Sequence, residues 1–333
     1  MRCGRFHIGL VLFALTAAPA QAEEQVKIGI GFGLAFLPAY ICEDLKLVEK
    51  YGQEQHLALK ASYERFVSAD AVQGAIASRA IDMGPFGVAP LLTAWEKGKE
   101  TKDPRRQILA VSGMTTMPLA LLSNQPRERT IADLRPSDHI AIPTLTAPQM
   151  YVLEIQSEKV LGHYDQLRDR VVILSHADAI AGLFSGEGSA DAYFSSPPYT
   201  QIALQDTKVH RILNSEDVIG GKLSLLIIGA TKSYIDAHSK IPEAIDKAMD
   251  EAARLIHDDP RRAAQIYLEH EPSRSLDAAE IEAVLRENKD QFGSNVEGIQ
   301  VFADFMGRHG ELKTPPQSWK EIVAPSLLNS PNT

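Results

Sequence analysis

The stretch VKIGIGFGLAFLPAY, residues 26–40, decides the fold. Its alternating apolar residues up to Ile30 predict a short strand, and its glycines predict a sharp turn. Pro38 fits the first turn of a following helix, where a missing N–H costs nothing. Ligands of open α/β folds bind in loops at the carboxyl ends of strands. We therefore predict that residues 32–37 form one wall of a ligand pocket.

The same stretch also has plainer interpretations. Gly29, Gly31 and Gly33 could serve only a tight turn. Phe32 and Phe36 could be ordinary core residues. A dinucleotide-binding loop is a poor match, because a Gly-x-Gly-x-x-Gly pattern counted from Gly31 places Phe36 at its last glycine. We favour a turn beside a pocket over plain core.

The amino end carries the features of a secretory signal peptide. Arg2 and Arg5 precede an apolar run, residues 8–18, that is too short to span a bilayer. The motif AQA at residues 20–22 fits a cleavage site of small residues. We predict cleavage after this motif, which removes residues 1–22 from the fold and places the mature protein in the periplasm.

The composition indicates a globular, acidic protein. The chain has 333 residues, enough for two ordinary domains, with 44% hydrophobic residues and a formal net charge of −9. Removal of residues 1–22 deletes two of the 34 basic residues and none of the 43 acidic ones, which leaves a net charge of −11. This charge argues against nucleic acid and anionic membranes as partners. Cys42 is the only cysteine left, so no internal disulfide can form, and we expect a buried, inert thiol.

Two stretches of alternating strand and helix follow one another. Residues 26–112 alternate in this way, which indicates a parallel sheet with helices on its faces. The alternation restarts near residue 119 and ends in a long apolar strand at residues 223–229. Beyond residue 241 the pattern is mostly helical. No stretch after the signal peptide is apolar enough to span a membrane.

A faint internal repeat links the two stretches. ADAVQGAI at residues 69–76 resembles ADAIAGLF at residues 177–184. Each precedes a turn and a strand that begins near an aspartate, Asp82 or Asp191. Ala-rich helices can be similar by chance, but the repeat favours two lobes of like construction, with a cleft where their strand ends face each other.

The order of these motifs resembles the periplasmic solute-binding proteins of ABC importers, of the nitrate/sulfonate/taurine type. The resemblance covers nearly all of residues 25–325. It rests on the strand and loop at 28–38, EDLKL at 43–47, IDMG at 81–84, the segment from DAI at 178 to DA at 192, and FADFM through SWK at 302–320. It implies a two-lobed α/β fold of the type II kind, in which each lobe is a mostly parallel sheet flanked by helices.

The resemblance also implies how the chain is divided and what it does. Two crossings between the lobes would lie near residues 114–119 and 217–223. Lobe 1 would comprise residues 23–116 and 217–333, and lobe 2 residues 117–216. Such proteins close on a small solute by a hinge motion and deliver it to a membrane permease with its ATPase subunits. We expect a monomer.

The loops at strand ends supply the predicted ligand-binding residues. None of these loops carries Lys or Arg, and several carry aromatic residues, which suits a small organic sulfonate or carboxylate with an apolar body better than nitrate. Helix N-termini could hold its acidic end, although a predicted capping box from Thr146 to Gln149 would occupy one of them. Structural roles stay open for His176 and Ser195. The predicted residues are Phe32, Gly33, Phe36, Phe86, Gly87, Ser112 and Met114 in lobe 1, and Thr144, Thr146, Gln149, His176, Ser195 and Tyr199 in lobe 2.

Catalytic motifs do not stand out in the sequence. It lacks His-Glu-x-x-His, a phosphate loop and Gly-x-Ser-x-Gly, and its ten histidines are scattered without metal-ligand spacing. We predict no enzymatic activity, no metal and no cofactor. Two alternatives stay open. One is a thiamine-pyrimidine precursor binder or synthase-like protein, although the synthase's cysteine cluster is missing. The other is a sensor that presents its solute to a membrane receptor.

Overall fold

A computed structural model describes residues 23–185, 189–272 and 276–329, so the predicted signal peptide lies outside the described part. The strands are β1 (Glu24–Ile30), β2 (Leu59–Arg65), β3 (Met83–Phe86), β4 (Ile108–Thr115), β5 (Ala120–Ser123), β6 (Ile140–Ile142), β7 (Val171–Ile173), β8 (Ala192–Ser195), β9 (His210–Asn214) and β10 (Leu226–Thr231). The helices are α1 (Leu37–Leu45), α2 (Leu47–Glu54), α3 (Ala69–Ala77), α4 (Val88–Thr101), α5 (Pro148–Leu161), α6 (His176–Ser185), α7 (Tyr199–Leu204), α8 (Ser215–Ile219), α9 (Lys232–Ala237), α10 (Ile241–Asp258), α11 (Pro260–His270), α12 (Ala278–Glu287) and α13 (Ile299–Arg308).

The strands form two sheets of five, one in each lobe. The order is β2-β1-β3-β10-β4 in lobe 1 and β7-β6-β8-β5-β9 in lobe 2. In each sheet four strands run in one direction and one strand, β10 or β5, runs against its neighbours. The chain crosses from β4 to β5 and returns from β9 to β10. The predicted α/β fold with two mostly parallel sheets flanked by helices is confirmed.

The carboxyl-terminal segment covers the outer edge of β4. The Ala110 N–H donates to the Ile322 carbonyl at 2.8 Å, and the Gly113 N–H donates to the Ser294 carbonyl at 2.7 Å. A Cβ atom on Gly113 would lie 1.9 Å from the Asn295 carbonyl oxygen, so only glycine allows this close approach. This cover satisfies an edge strand that would otherwise expose unpaired backbone groups.

The first helix differs from its prediction. The sequence predicts one helix over residues 37–51, but the structure has two, α1 and α2, which meet at Lys46. Lys46 adopts a left-handed conformation with φ 51°, and its N–H closes α1 by donating to the Cys42 carbonyl. A left-handed residue ends a helix, so the chain changes direction there. Among the described residues, no helix is long and apolar enough to cross a membrane.

The internal repeat occupies equivalent places in the two lobes. In each copy a helix, α3 or α6, precedes a strand, β3 or β8, along the chain. Asp82 accepts the N–H of Lys27 in β1 at 2.8 Å, and Asp191 accepts the N–H of His139, just before β6, at 2.9 Å. In both lobes the aspartate therefore ties the start of its strand to the adjacent parallel strand.

Candidate ligand-binding cleft

The carboxyl ends of strands from both sheets approach each other in a cleft. Gly87, which follows β3, lies against the first residue of α5, since a Cβ atom on Gly87 would be 3.5 Å from Pro148 Cγ. The negative charge of Glu271 in lobe 1 contributes to raising the pKa of Tyr199 in lobe 2. The strand-end loops of the two lobes therefore lie against each other at Gly87 and Pro148.

The lobe 1 wall is built around the Glu271 carboxylate. Glu271 follows α11, and its Oε1 accepts the N–H of Gly33, in the loop after β1, at 2.5 Å. Gly33 has φ 104°, a conformation that favours glycine and turns its N–H toward the carboxylate. The Tyr40 hydroxyl contacts the same oxygen and lies 2.9 Å from the Gly31 carbonyl oxygen. Tyr267 also hydrogen-bonds Glu271. Burial, and then the negative charge of Glu271, raise the pKa of the Tyr267 hydroxyl.

A stacked pair supports Tyr40 from behind. The His270 ring lies parallel to the Tyr40 ring, with centroids 4.6 Å apart and a 4° interplanar angle. His270 Nε2 lies 2.9 Å from Asp44 Oδ1, and its Nδ1 lies 2.5 Å from the Arg65 guanidinium. Arg65 is also 3.9 Å from Glu43. These contacts hold the His270 ring against Tyr40 and connect His270 and Arg65 to Asp44 and Glu43.

The lobe 2 wall is aromatic and neutral. The ring of His176, at the start of α6, stacks on Tyr199 with centroids 4.4 Å apart and a 15° interplanar angle. His176 Nδ1 contacts the Tyr193 hydroxyl of β8. Burial lowers the pKa of His176 to about 4, so its ring is uncharged at neutral pH. Burial is also the main reason that the pKa of Tyr199 is raised.

Other predicted site residues lie inside the sheets. Ser112 and Met114 were expected in a loop, but they are fully buried within β4, so that expectation is wrong. The strand continues because the carboxyl-terminal segment pairs with its edge. Phe86 is only 3% exposed and lies over Gly229 of the neighbouring strand. Ser195 Oγ donates to the Ala120 carbonyl at 3.0 Å, which holds the end of β8.

The remaining predicted residues lie at the cleft rim. Phe32 is 52% exposed, and Phe36 packs its ring over Gly31. The Thr144 and Thr146 hydroxyls are exposed and 3.4 Å apart. Contact of any of these residues with a ligand stays a prediction.

The start of α5 differs from the predicted capping box. Ala147, not Thr146, is the N-cap residue, and no side chain caps the helix. Thr146 lies one residue before the N-cap position, because the helix begins at Pro148. Gln149 is 3% exposed, and its side-chain oxygen has no hydrogen-bond partner among the described residues. Pro148 has no N–H, and the Ala147 and Met150 N–H groups donate to the Thr144 and Ala147 carbonyls. Only the Gln149 N–H of this first turn has no carbonyl partner within the described part of the chain, beside the unpaired oxygen of its own side chain.

A groove of about 1120 Å³ extends away from this cleft along lobe 1. It runs between α3, α4 and α9 and reaches Phe86 and, from lobe 2, Thr146. The groove is lined by two of the predicted ligand-binding residues, Phe86 and Thr146, but by none of the groups around Glu271. We place the candidate site at the loops around Glu271 and Tyr199, because Glu271 holds the loop after β1 and Tyr199 follows β8, and ligands of α/β folds bind at such strand ends.

The sequence did not point to Glu271, Tyr40 or Tyr267 as site residues. Glu271 contacts Gly33 across 238 residues of chain, and no local pattern marks such a contact. Tyr40 lies within the quoted stretch, but its apolar neighbours gave no sign of its hydroxyl's role. A carboxylate just past the end of α11 was the only available signal, and one such residue is not specific.

Comparisons with solved structures relate this arrangement to known proteins. The chain is similar to the periplasmic aliphatic sulphonate binding protein SsuA of Escherichia coli, with 18% identity, a TM-score of 0.70 and coverage of 92% of this chain and 99% of that one. The fold is that of the periplasmic binding proteins. No protein-family model and no curated protein sequence matches the chain.

Two further periplasmic binding proteins have the same architecture. The alkanesulfonate-binding protein SsuA of Xanthomonas axonopodis pv. citri, bound to MOPS, has 20% identity, a TM-score of 0.67 and coverage of 92% and 98%. The periplasmic nitrate-binding protein NrtA of Synechocystis PCC 6803 has 13% identity, a TM-score of 0.58 and coverage of 82% and 72%. At these identities the likeness extends to the periplasmic-binding-protein fold alone.

Proposed function

We propose that this chain is the periplasmic solute-binding component of an ABC-type importer. It captures a small organic solute between its lobes and delivers it to a membrane permease with ATPase subunits. The observation that carries this proposal is that strand-end loops of the two lobes, at Gly87 and Pro148, lie against each other in a periplasmic-binding-protein fold. An enzymatic role is not proposed, because the similar structures are named as binding proteins.

Residues 1–22 would be removed on export. Lobe 1 would comprise residues 23–116 and 217–333, and lobe 2 residues 117–216. A sulfonate or carboxylate on the solute would accept the N–H of Gln149 at the first turn of α5, which no side chain caps. The buried, unpaired side-chain oxygen of Gln149 would accept a hydrogen from the same solute. The apolar body would lie against Tyr199 and the other rings of the cleft.

Closure can be tested with a disulfide across the cleft. Gly87→Cys and Pro148→Cys together place thiols on the two lobes where their loops touch. Mature protein carrying both changes should form the disulfide faster with a solute that raises its melting temperature than without one. Each single variant is the control, since Cys42 is buried. A disulfide rate that no stabilising solute changes would contradict hinge closure.

A further inference from the structure

The groove along lobe 1 is a cavity separate from the candidate site at Glu271 and Tyr199, since neither residue lines it. Its volume of about 1120 Å³ slightly exceeds the range of about 300–1,000 Å³ that is common for small-molecule pockets. The strands β3, β10 and β4 form its floor, and α3, α4 and α9 form its walls. A ligand held there would lie on one face of the lobe 1 sheet.

The strand register defines the two ends of the groove. Ile108 begins β4 and pairs with Thr231, the last residue of β10, and both residues line the groove. Phe86 ends β3, pairs with Ile227 and lines the groove at its other end. Thr231 and Ile227 are four residues apart on β10, which corresponds to about 13 Å at about 3.3 Å per strand residue.

The α4 wall carries small side chains near Phe86 and a cation further along. The helix begins two residues after Phe86, so Ala89 and Ala94 lie toward that end of the groove. These small side chains leave the groove open. Three residues beyond Ala94, the same face of the helix carries Lys97. The groove is therefore less polar at the Phe86 end than at the end where β4 begins.

The end where β3 and β4 begin brings hydrogen-bond donors together. Arg106 precedes β4 by two residues and Arg79 precedes β3 by four, and both line the groove. The Lys232 N–H donates to the Gln107 carbonyl at 2.7 Å, which ties α9 to the same end. Tyr234 of α9 lines the groove there, and its hydroxyl oxygen is buried without a hydrogen-bond partner among the described residues.

The charges at this end favour an anion. Three contacts pair lining residues with other side chains: Arg105 with Asp103, Glu100 with Lys313, and His238 with Glu24. Asp82 is the one further acid of the described lining, and it accepts the N–H of Lys27. The lining also holds three further cations, which are Arg79, Lys97 and Arg106. The field at this end of the groove is therefore positive.

We propose that this groove binds a single-chain carboxylate of the fatty-acid class. The carboxylate accepts hydrogen bonds from Arg79, Arg106 and the Tyr234 hydroxyl, and the alkyl chain extends along the floor to Phe86. An extended chain gains about 1.3 Å per methylene from C–C bonds of about 1.5 Å, so about ten methylenes span the groove. A cationic head group would meet like charges at the same place.

A panel that varies chain length and head group tests the class of ligand. The mature protein is titrated in a calorimeter at pH 8 with dodecanoate, octanoate, butanoate and dodecyltrimethylammonium, each below its micelle concentration. Dodecanoate should bind as one molecule per protein, and affinity should fall with each shorter chain, because less apolar area is buried. Dodecyltrimethylammonium has the same chain with the opposite charge and should bind more weakly than dodecanoate.

Substitutions in the groove test its location. Arg79→Gln with Arg106→Gln removes both guanidinium groups and should weaken dodecanoate binding about 10- to 100-fold. Ala94→Trp fills the groove along α4 and should weaken dodecanoate binding more than butanoate binding. Arg261→Gln with Arg262→Gln removes two positive charges from exposed positions of α11 and should leave binding unchanged. The melting temperature of each variant checks that it is folded.

Several results would overturn this proposal. Dodecanoate that binds the groove variants as tightly as wild type must lie elsewhere, for example in the cleft. Equal losses in the two double-arginine variants would reduce the effect to net charge. Absence of dodecanoate binding, or equal affinity for dodecyltrimethylammonium, would exclude the fatty-acid class. Solute capture between the lobes is tested by the disulfide across the cleft, so it stands or fails independently of the groove.

Discussion

The two copies of the repeated unit of helix and strand share a scaffold but differ in the side chains that their strands carry. Two residues after the shared aspartate, lobe 1 has Gly84 and lobe 2 has Tyr193. A Cβ atom on Gly84 would lie 2.7 Å from Val72 Cγ1, so α3 packs directly on β3. Tyr193 instead carries a hydroxyl that contacts His176 at the cleft. One small-to-large difference thus replaces a packing contact with support for the ring of His176, which the sequence predicts to contact a ligand.

The same comparison extends to the last residue of each strand. Phe86 ends β3 and Ser195 ends β8, and both are buried. Phe86 fills the space above Gly229, whereas Ser195 bonds the Ala120 carbonyl and the Thr200 hydroxyl. Lobe 1 therefore closes its strand end with apolar volume, and lobe 2 closes it with hydrogen bonds.

The largest expected effect distinguishes these two strand ends. Phe86→Ala should lower the free energy of unfolding by about 3–5 kcal/mol, because it leaves a cavity in the lobe 1 core. Ser195→Ala should cost about 1 kcal/mol, the contribution of a hydrogen bond. Urea denaturation measures both. A near-native stability for Phe86→Ala with weakened solute binding would instead make Phe86 a ligand contact, as the sequence predicts.

An effect of intermediate size on stability is expected from His176, because the equivalent position of the repeat in lobe 1 has no histidine. Burial lowers its folded pKa to about 4, and an unfolded histidine titrates near ~6.5. Between these values the unfolded chain binds the extra proton, so stability falls as the pH falls from about 6.5 to 4. The full difference corresponds to about 3 kcal/mol.

His176→Gln isolates this contribution. The variant lacks the titrating ring, so its free energy of unfolding should depend less on pH across that window. Glu154, whose pKa burial raises to about 7, contributes the opposite slope in both proteins and cancels in their difference. Chemical denaturation at several pH values provides the measurement. A constant difference between wild type and variant would mean that His176 is protonated as easily as in the unfolded chain.

The lobes were predictable from sequence because their evidence is local. The strand–loop–helix at residues 26–40, the repeat and the helical carboxyl end each appear within short windows, and their order indicated the fold. The long-range features were not accessible. The pairing that keeps Ser112 inside β4 and the contact between Gly33 and Glu271 both join distant segments. The capping box failed by one residue, because Pro148 rather than Ala147 begins α5.

The smallest expected effect compares the glycines at equivalent positions of the repeat, Gly74 in α3 and Gly182 in α6. Nothing lies within 4 Å of a Cβ atom on Gly74, so Gly74→Ala should stabilise the protein by about 0.5–1 kcal/mol through helix propensity and unfolded-state entropy. A Cβ atom on Gly182 would lie 2.5 Å from Ser189 Oγ and 3.3 Å from Ala190 N. Gly182→Ala must displace these neighbours, which cancels or reverses the gain. Urea denaturation of both variants should therefore rank Gly74→Ala above wild type and Gly182→Ala at or below it. An equal gain in both would mean that α6 packs on the turn before β8 as loosely as α3 does at Gly74.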